Sequence, residues 1–280
     1  MFKIHLKDTI LDLSTPLVMG ILNATPDSFF VGSRMEQIDE GVKKAIEMAK
    51  FGAGILDIGG QSTRPGAEII TEAKEIERVV PMIEAIHAAL PDMSISIDTY
   101  HANVAKAALS AGALIVNDIS CGNFDPKMIP MVVENQAGFI GMHQTGGPST
   151  MHEVHPRSDI MKTLIDYFLI KKRQFAEIGL TEWMIDPGFG FSKSMAENFE
   201  LVKSLAQLKA LDLPILLGVS RKSSIYKTLG VDAAAALNGT TVLNTVGLIG
   251  GANILRVHDV KEANEAIKLI NAMNATKKAK

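Results

Sequence analysis

Leu17-Val18-Met19-Gly20-Ile21-Leu22-Asn23 is an apolar, non-alternating run that ends in Ala24-Thr25-Pro26 rather than in a Gly-rich turn. A run of this kind suits a parallel strand buried on both faces. The missing turn glycines decide between two architectures, because the first strand of a dinucleotide-binding open sheet delivers a Gly-rich loop to a helix. The pattern recurs, and strands are predicted at 17–23, 55–59, 94–98, 114–119, 138–142, 183–186, 214–219 and 252–257. Helical periodicity follows each of them, as in Gly41 to Ala49 and Lys162 to Ile178. Eight strand–helix units without a linker predict an α/β fold, a closed (β/α)₈ TIM barrel forming a single domain over 1–280.

The bulk properties agree with that size and narrow the partners. A chain of 280 residues with 47% hydrophobic and 21% charged residues has enough apolar material for one large core. The formal net charge of −3 gives no reason to expect a nucleic acid or an anionic membrane as partner. Cys121 is the single cysteine, so no internal disulfide is expected and a reducing compartment suits the chain. Met1 to Asp8 lacks the apolar core of a signal peptide, and the run Val242 to Leu255 is broken by Asn244, Gly247, Gly250, Gly251 and Asn253. A soluble, cytoplasmic protein is the expectation.

A TIM barrel carries its chemistry at the C-terminal ends of its strands. Those ends read Asn23, Gly59-Gly60-Gln61, Asp98, Asn117-Asp118, His143, Asp186, Ser220-Arg221-Lys222, and Arg256 with His258. The stretch Leu213 to Ser223 brings two cations and two hydroxyls to a helix start, which is either an anion site or an N-cap with two solvated cations. Arg256 and His258 lie two residues apart and share a face, which suits a polyanion such as a diphosphate; the alternative is a surface Arg beside a core His. Asp98 and Asp186 either accept paired N–H donors from an aminopyrimidinone ring or cap the segments that follow. Two loops, Thr25 to Arg34 and Gly59 to Ala67, combine Pro and Gly with side chains suited to movement or to a ligand, and Phe29 and Phe30 either pack within their own loop or form a lid over an aromatic substrate. Cys121 reads as a small buried thiol, and His143, His152 and His155 as a weak zinc candidate across a Gly-Gly-Pro loop.

Met19-Gly20-Ile21-Leu22-Asn23-Ala24-Thr25-Pro26-Asp27-Ser28-Phe29 resembles the first signature of the dihydropteroate synthases, and Asp57-Ile58-Gly59-Gly60-Gln61-Ser62-Thr63-Arg64-Pro65-Gly66 the second. Ser96 to Thr99, Asn117 to Ser120, Met142-His143, Asp186 to Phe191, Ser220 to Ser223 and Arg256 to His258 follow in the family's order, so the likeness spans the chain. It implies an enzyme of folate biosynthesis, usually a homodimer, that displaces diphosphate from 6-hydroxymethyl-7,8-dihydropterin diphosphate with the amine of p-aminobenzoate. By motif, Asp98, Asn117, Asp186 and Lys222 would hold the pterin. Asn23 would ligate Mg²⁺, with Thr63, Arg64, Arg256 and His258 around the diphosphate. Phe29, Pro65, Phe191, Lys222 and Ser223 would frame p-aminobenzoate. In this scheme Thr63, Arg64, Lys222, Arg256 and His258 act on the reacting groups.

Two positions depart from the family's pattern. Val31 stands where an Asp is usual, and Gln61 where a Glu is usual. Both remove a negative charge near the diphosphate exit, which bears on loop closure and rate. A pterin-binding methyltransferase barrel would share the Asp and Asn positions but would leave Ser62 to Pro65, Ser220 to Lys222 and Arg256 to His258 without a purpose. A non-catalytic pterin-binding paralogue is the reading that Val31 and Gln61 would favour.

Overall fold

The structure, a computed structural model, describes residues 2–24, 34–61 and 68–276. Phe29, Val31, Thr63, Arg64 and Pro65, with most of both expected loops, therefore lie outside the described residues. The chain opens with a hairpin of β1 (Lys3–Leu6) and β2 (Thr9–Asp12), paired antiparallel from Lys3↔Asp12 to Leu6↔Thr9. Eight parallel strands follow: β3 (Leu17–Asn23), β4 (Ile55–Gly59), β5 (Ser94–Asp98), β6 (Ile115–Asp118), β7 (Gly138–Met142), β8 (Met184–Asp186), β9 (Leu216–Leu217) and β10 (Ile254–Val257). Hydrogen bonding runs in the order β8-β7-β6-β5-β4-β3-β10-β9. A parallel bridge between Ile185 and Ile215 joins the two ends of that order, so the sheet closes into the barrel that the sequence predicts.

The helices α1 (Arg34–Lys50), α2 (Glu72–Ala89), α3 (Ala102–Ser110), α4 (Met128–Glu134), α5 (Ile160–Ile178), α6 (Met195–Lys203), α7 (Ser223–Leu229), α8 (Leu237–Gly250) and α9 (Val260–Thr276) surround it. Their ends follow local chemistry. Asp159 caps α5 by accepting from Lys162 N, and Gly179 closes that helix in the left-handed region. Ser194 and Glu197 form a reciprocal capping box on α6. Among the described residues, no helix is long and apolar enough to cross a membrane.

The strands bury both faces, and the two faces make two cores. Outward residues such as Leu56, Ile58, Ile95, Ile97, Val116, Ile185 and Leu255 pack beneath the helices. Inward residues Met19, Ile55, Ile115, Ile140, Met184, Leu216 and Ile254 fill the lower barrel and meet Ile4, Leu6, Leu11 and Leu13 from the hairpin segment. The sequence reading had not anticipated that hairpin. Burying its four aliphatic side chains is worth roughly 6–12 kcal/mol gross, comparable with the whole net stability of a domain. The hairpin is therefore an integral floor of the barrel. The predicted strand at 214–219 also shrinks to Leu216–Leu217. Pro214 has no N–H for a ladder, although its carbonyl still accepts from Ile185 N at 2.9 Å.

Candidate active site

Strand register builds the site floor. Asn23 pairs with Gly59, Gly59 with Asp98, and Asp98 with Asn117, so these four occupy one level at the C-terminal mouth. A Cβ on Gly59 would lie 3.5 Å from Asp98 Cβ and 3.9 Å from Asn23 Oδ1, which puts both side chains over the same spot. Across the barrel, a Cβ on Gly218 would lie 3.8 Å from Arg256 and 3.9 Å from Asp186 Oδ2. Asp98, Asn117, Asp186 and Arg256, drawn from four strands, therefore converge with Asn23 beside them.

Arg256 sits at the centre of this group. Its Nε donates to Asp57 Oδ2 and its Nη2 to Asp98 Oδ2, both at 2.6 Å. Asn117 Nδ2 donates to the same Asp57 oxygen at 3.0 Å. A carboxylate only accepts, so Asp57 fixes which end of the Asn117 amide points into the barrel and leaves the oxygen for a ligand. Asp186 Oδ1 accepts from Gly188 N at 2.7 Å. Among the described residues, Asp98 Oδ1, Asn117 Oδ1 and Asp186 Oδ2 have no such partner. The floor thus offers three acceptor oxygens, with the Lys222 ammonium facing them.

Asp57 did not figure among the sequence candidates. The signal was present, because a carboxylate in the apolar run Ile55-Leu56-Asp57-Ile58 must be paired when it is buried. Asp57 has no exposed surface, and Arg256 with Asn117 supplies the pairing.

Burial pushes Asp98, Asp186 and Lys222 toward their neutral forms. Burial raises the Asp98 pKa to about 7, against the pull of Arg256 and with help from Asp57, Asp118 and Asp186. Burial also raises Asp186, against Lys222. It lowers Lys222 to about 8, against Asp186. Burial works against the Arg256 charge too, but Asp57 and Asp98 outweigh it and raise its pKa.

Lys222 reaches the mouth by a defined route. Its Nζ donates to Phe189 O and lies 4.6 Å from the centre of the Phe191 ring. Phe191 stacks on His152 at 5.2 Å and joins Tyr100, Ile119, Met142 and Met151 in a small apolar cluster. Arg221 goes elsewhere. It grips Asp259 with Nε at 2.9 Å and Nη2 at 2.7 Å, and Ala233 O with Nη1 at 3.0 Å. Of the two cations expected at this helix start, only Lys222 turns inward.

Ser223 does not cap the helix; Lys222 is the N-cap residue of α7, and Ser223 stands exposed beside it. His258 is exposed at the rim, with Nδ1 3.0 Å from Ser220 Oγ. Asp98 is not a cap for α3, whose N-cap is His101. His143 is buried and its Nδ1 is 3.1 Å from Lys193 Nζ. Burial, then the charges of Lys193 and Arg157, push His143 down to about 2, so the imidazole is neutral. Cys121 is fully buried and burial pushes its thiol up to about 12, an inert side chain as the sequence suggests.

Comparison with known proteins names this arrangement. The profile of the family described as "Pterin binding enzyme" matches residues 19–258. The dihydropteroate synthase of Escherichia coli strain K12 is 39% identical over 280 residues, covering 99% of both chains. A crystal structure of Yersinia pestis dihydropteroate synthase, in a sulfonamide drug complex, superposes with a TM-score of 0.90 at 35% identity, covering 98% of this chain and 100% of that one. The Xanthomonas albilineans dihydropteroate synthase with 4-aminobenzoic acid gives a TM-score of 0.90 at 33% identity, covering 98% of each. The chain belongs to the pterin-binding enzyme family and, within it, to the dihydropteroate synthases.

Proposed function

We propose that the barrel mouth condenses 6-hydroxymethyl-7,8-dihydropterin diphosphate with p-aminobenzoate, giving 7,8-dihydropteroate and diphosphate. The observation that carries the residue assignment is the trio of acceptor oxygens on Asp98, Asn117 and Asp186 facing a single ammonium. A pterin presents several ring and amino N–H donors beside one carbonyl, the complement of that pattern.

In the reaction, the bond between the exocyclic methylene carbon and the diphosphate oxygen breaks. The aminobenzoate nitrogen bonds to that carbon and gives up a proton. Asp98 and Asp186 hold the ring and favour the positive charge that grows on it as diphosphate departs. Lys222 spans the two substrates, with its carbon chain over Gly190 and its ammonium against the Phe191 ring. Thr63, Arg64, Arg256 and His258 take the diphosphate, while Phe29, Pro65, Phe191 and Ser223 frame the aminobenzoate. No classical nucleophile is required.

Mg²⁺ fits as a companion of the diphosphate. Among the described residues, no three His, Cys, Asp or Glu side chains form a protein cage. Magnesium commonly takes one or two protein oxygens and completes its shell with phosphate oxygens and water. Asn23 Oδ1, directed over Gly59 beside Asp98, is a hard oxygen donor of that kind. When bound, the ion would neutralise charge on the departing diphosphate. We also infer a cytoplasmic homodimer, on the family resemblance and the single buried cysteine.

Calorimetric titration with 6-hydroxymethylpterin tests the pocket. Saturable binding that p-aminobenzoate alone does not displace is expected. Binding that survives unchanged in a triple variant of Asp98, Asn117 and Asp186 to alanine would defeat the assignment.

A further inference from the structure

Lys193 is a buried cation that the reaction above does not use. Its Nζ lies 2.9 Å from Gly188 O, 3.2 Å from His143 O, 3.2 Å from Phe191 O and 3.1 Å from His143 Nδ1. An ammonium has three N–H donors and no acceptor. Three carbonyl dipoles aimed at one point are the surroundings that hold a proton on an amine. Burial draws the pKa of Lys193 well down and Arg157 and Lys222 add to that, whereas Asp186 and Glu197 oppose it.

Two of these carbonyls, Gly188 O and Phe191 O, belong to the turn after β8, and that turn holds one strained residue. Gly188, Gly190 and Ser192 have φ of +73°, +82° and +48°, all in the left-handed region. The two glycines adopt it freely, whereas Ser192 keeps it only where its surroundings over-determine it. A Cβ on Gly188 would lie 2.0 Å from His143 O, so the turn is pressed directly against the end of β7. Lys193 joins those two segments. From outside, Arg157 Nη1 donates to Ser192 O at 2.8 Å, and Asn198 Oδ1 accepts from Gly190 N at 2.7 Å.

The carbonyls of this turn divide between two lysines. Gly188 O and Phe191 O accept from Lys193 behind the turn, whereas Phe189 O accepts from Lys222 in front of it. Phe191, whose backbone Lys193 holds, supplies the ring on which the Lys222 ammonium rests.

We propose that Lys193 is a positioning residue for the aminobenzoate half of the site: its ammonium is the pin around which the Gly188–Phe191 turn is wound, and that turn sets Lys222 and the Phe191 ring. The inference rests on the reading above for what the site binds. Lys193 touches no substrate and acts through Lys222 and Phe191. The acceptor oxygens of Asp98 and Asn117 belong to other strands and do not depend on it.

The test compares the native enzyme with Lys193→Met, which keeps the length of the side chain and removes its donors, using circular dichroism to confirm the fold. The KM for p-aminobenzoate is expected to rise about tenfold or more, because small misplacements of positioning groups are costly. Affinity for 6-hydroxymethylpterin is expected to fall by clearly less than the aminobenzoate KM rises, since the oxygens of Asp98 and Asn117 stay in place and only Asp186 and Lys222 border the turn. A folded variant with an aminobenzoate KM within about twofold of native would overturn the inference. Should Lys193→Met not fold, nitrogen-detected NMR of the native enzyme decides the contact. A bare Nδ1 and a protonated Nε2 on His143 support it, and a proton on Nδ1 overturns it. Absence of turnover in the native enzyme would instead sink the functional reading, so the two failures are distinguishable.

Discussion

Arg256→Met removes the cation that two carboxylates share at the barrel centre, and its cost follows from the geometry. Arg256 meets Asp57 and Asp98 at 2.6 Å each, and those two side chains are 0% and 14% exposed, so solvent does little to screen them. Breaking a buried ion pair by removing one partner costs about 3–5 kcal/mol, mostly from the stranded charge. Asp98 already stands at about 7 with Arg256 holding it down, and without that cation it moves higher. Its folded value then exceeds the unfolded value of about 3.9 by more than before, so the folded state binds the extra proton. The penalty is therefore full above the folded pKa and is relieved as pH falls toward the unfolded one. Urea melts at about pH 5.5 and about pH 8 should show a loss of about 3–5 kcal/mol at the higher pH and a clearly smaller one at the lower. Adding Asp57→Asn removes one stranded charge, and the double variant should recover stability near pH 8 without recovering activity. Equal losses at both pH values, with no recovery in the double variant, would refute this reasoning.

Two further outcomes follow from the same site. The pterin needs Asp98 ionised and Lys222 protonated, with values of about 7 and about 8. The kcat/KM for the pterin substrate should therefore rise through the first and fall through the second; a profile flat from about pH 6 to about pH 9 would contradict the roles given to both. Asp186→Asn should weaken 6-hydroxymethylpterin about ten- to a hundredfold, the value of a charge-assisted hydrogen bond, measured by calorimetry on the folded variant. Unchanged affinity would make Asp186 a support for Gly188 N and nothing more.

Much of the barrel is legible in the chain because parallel strands buried on both faces leave near-continuous apolar runs. Leu17–Asn23, Ile55–Gly59, Ser94–Asp98 and Gly138–Met142 fall where those runs fall. The hairpin at Lys3–Leu6 and Thr9–Asp12 escaped because each strand has four residues, too few for alternation to stand out, although Ile4 and Leu6 point inward in period two. The site was legible where a polar residue ends an apolar run, as at Asp98, Asn117, Asp186 and Arg256. It was less legible where function depends on what a side chain pairs with. Nothing in Ser220-Arg221-Lys222 tells that Arg221 turns out to Asp259 while Lys222 turns in, since that choice depends on a carboxylate 38 residues away. Lys193 was invisible for the same reason: its partners are backbone carbonyls brought together by a turn whose left-handed residues include a serine.

Steady-state release of diphosphate from 6-hydroxymethyl-7,8-dihydropterin diphosphate and p-aminobenzoate, with and without Mg²⁺, tests the central claim most directly. The account predicts turnover that requires both substrates, yields 7,8-dihydropteroate in equal amount to diphosphate, and collapses when Mg²⁺ is chelated. No turnover at saturating substrates and Mg²⁺, from protein that still binds 6-hydroxymethylpterin, would contradict it.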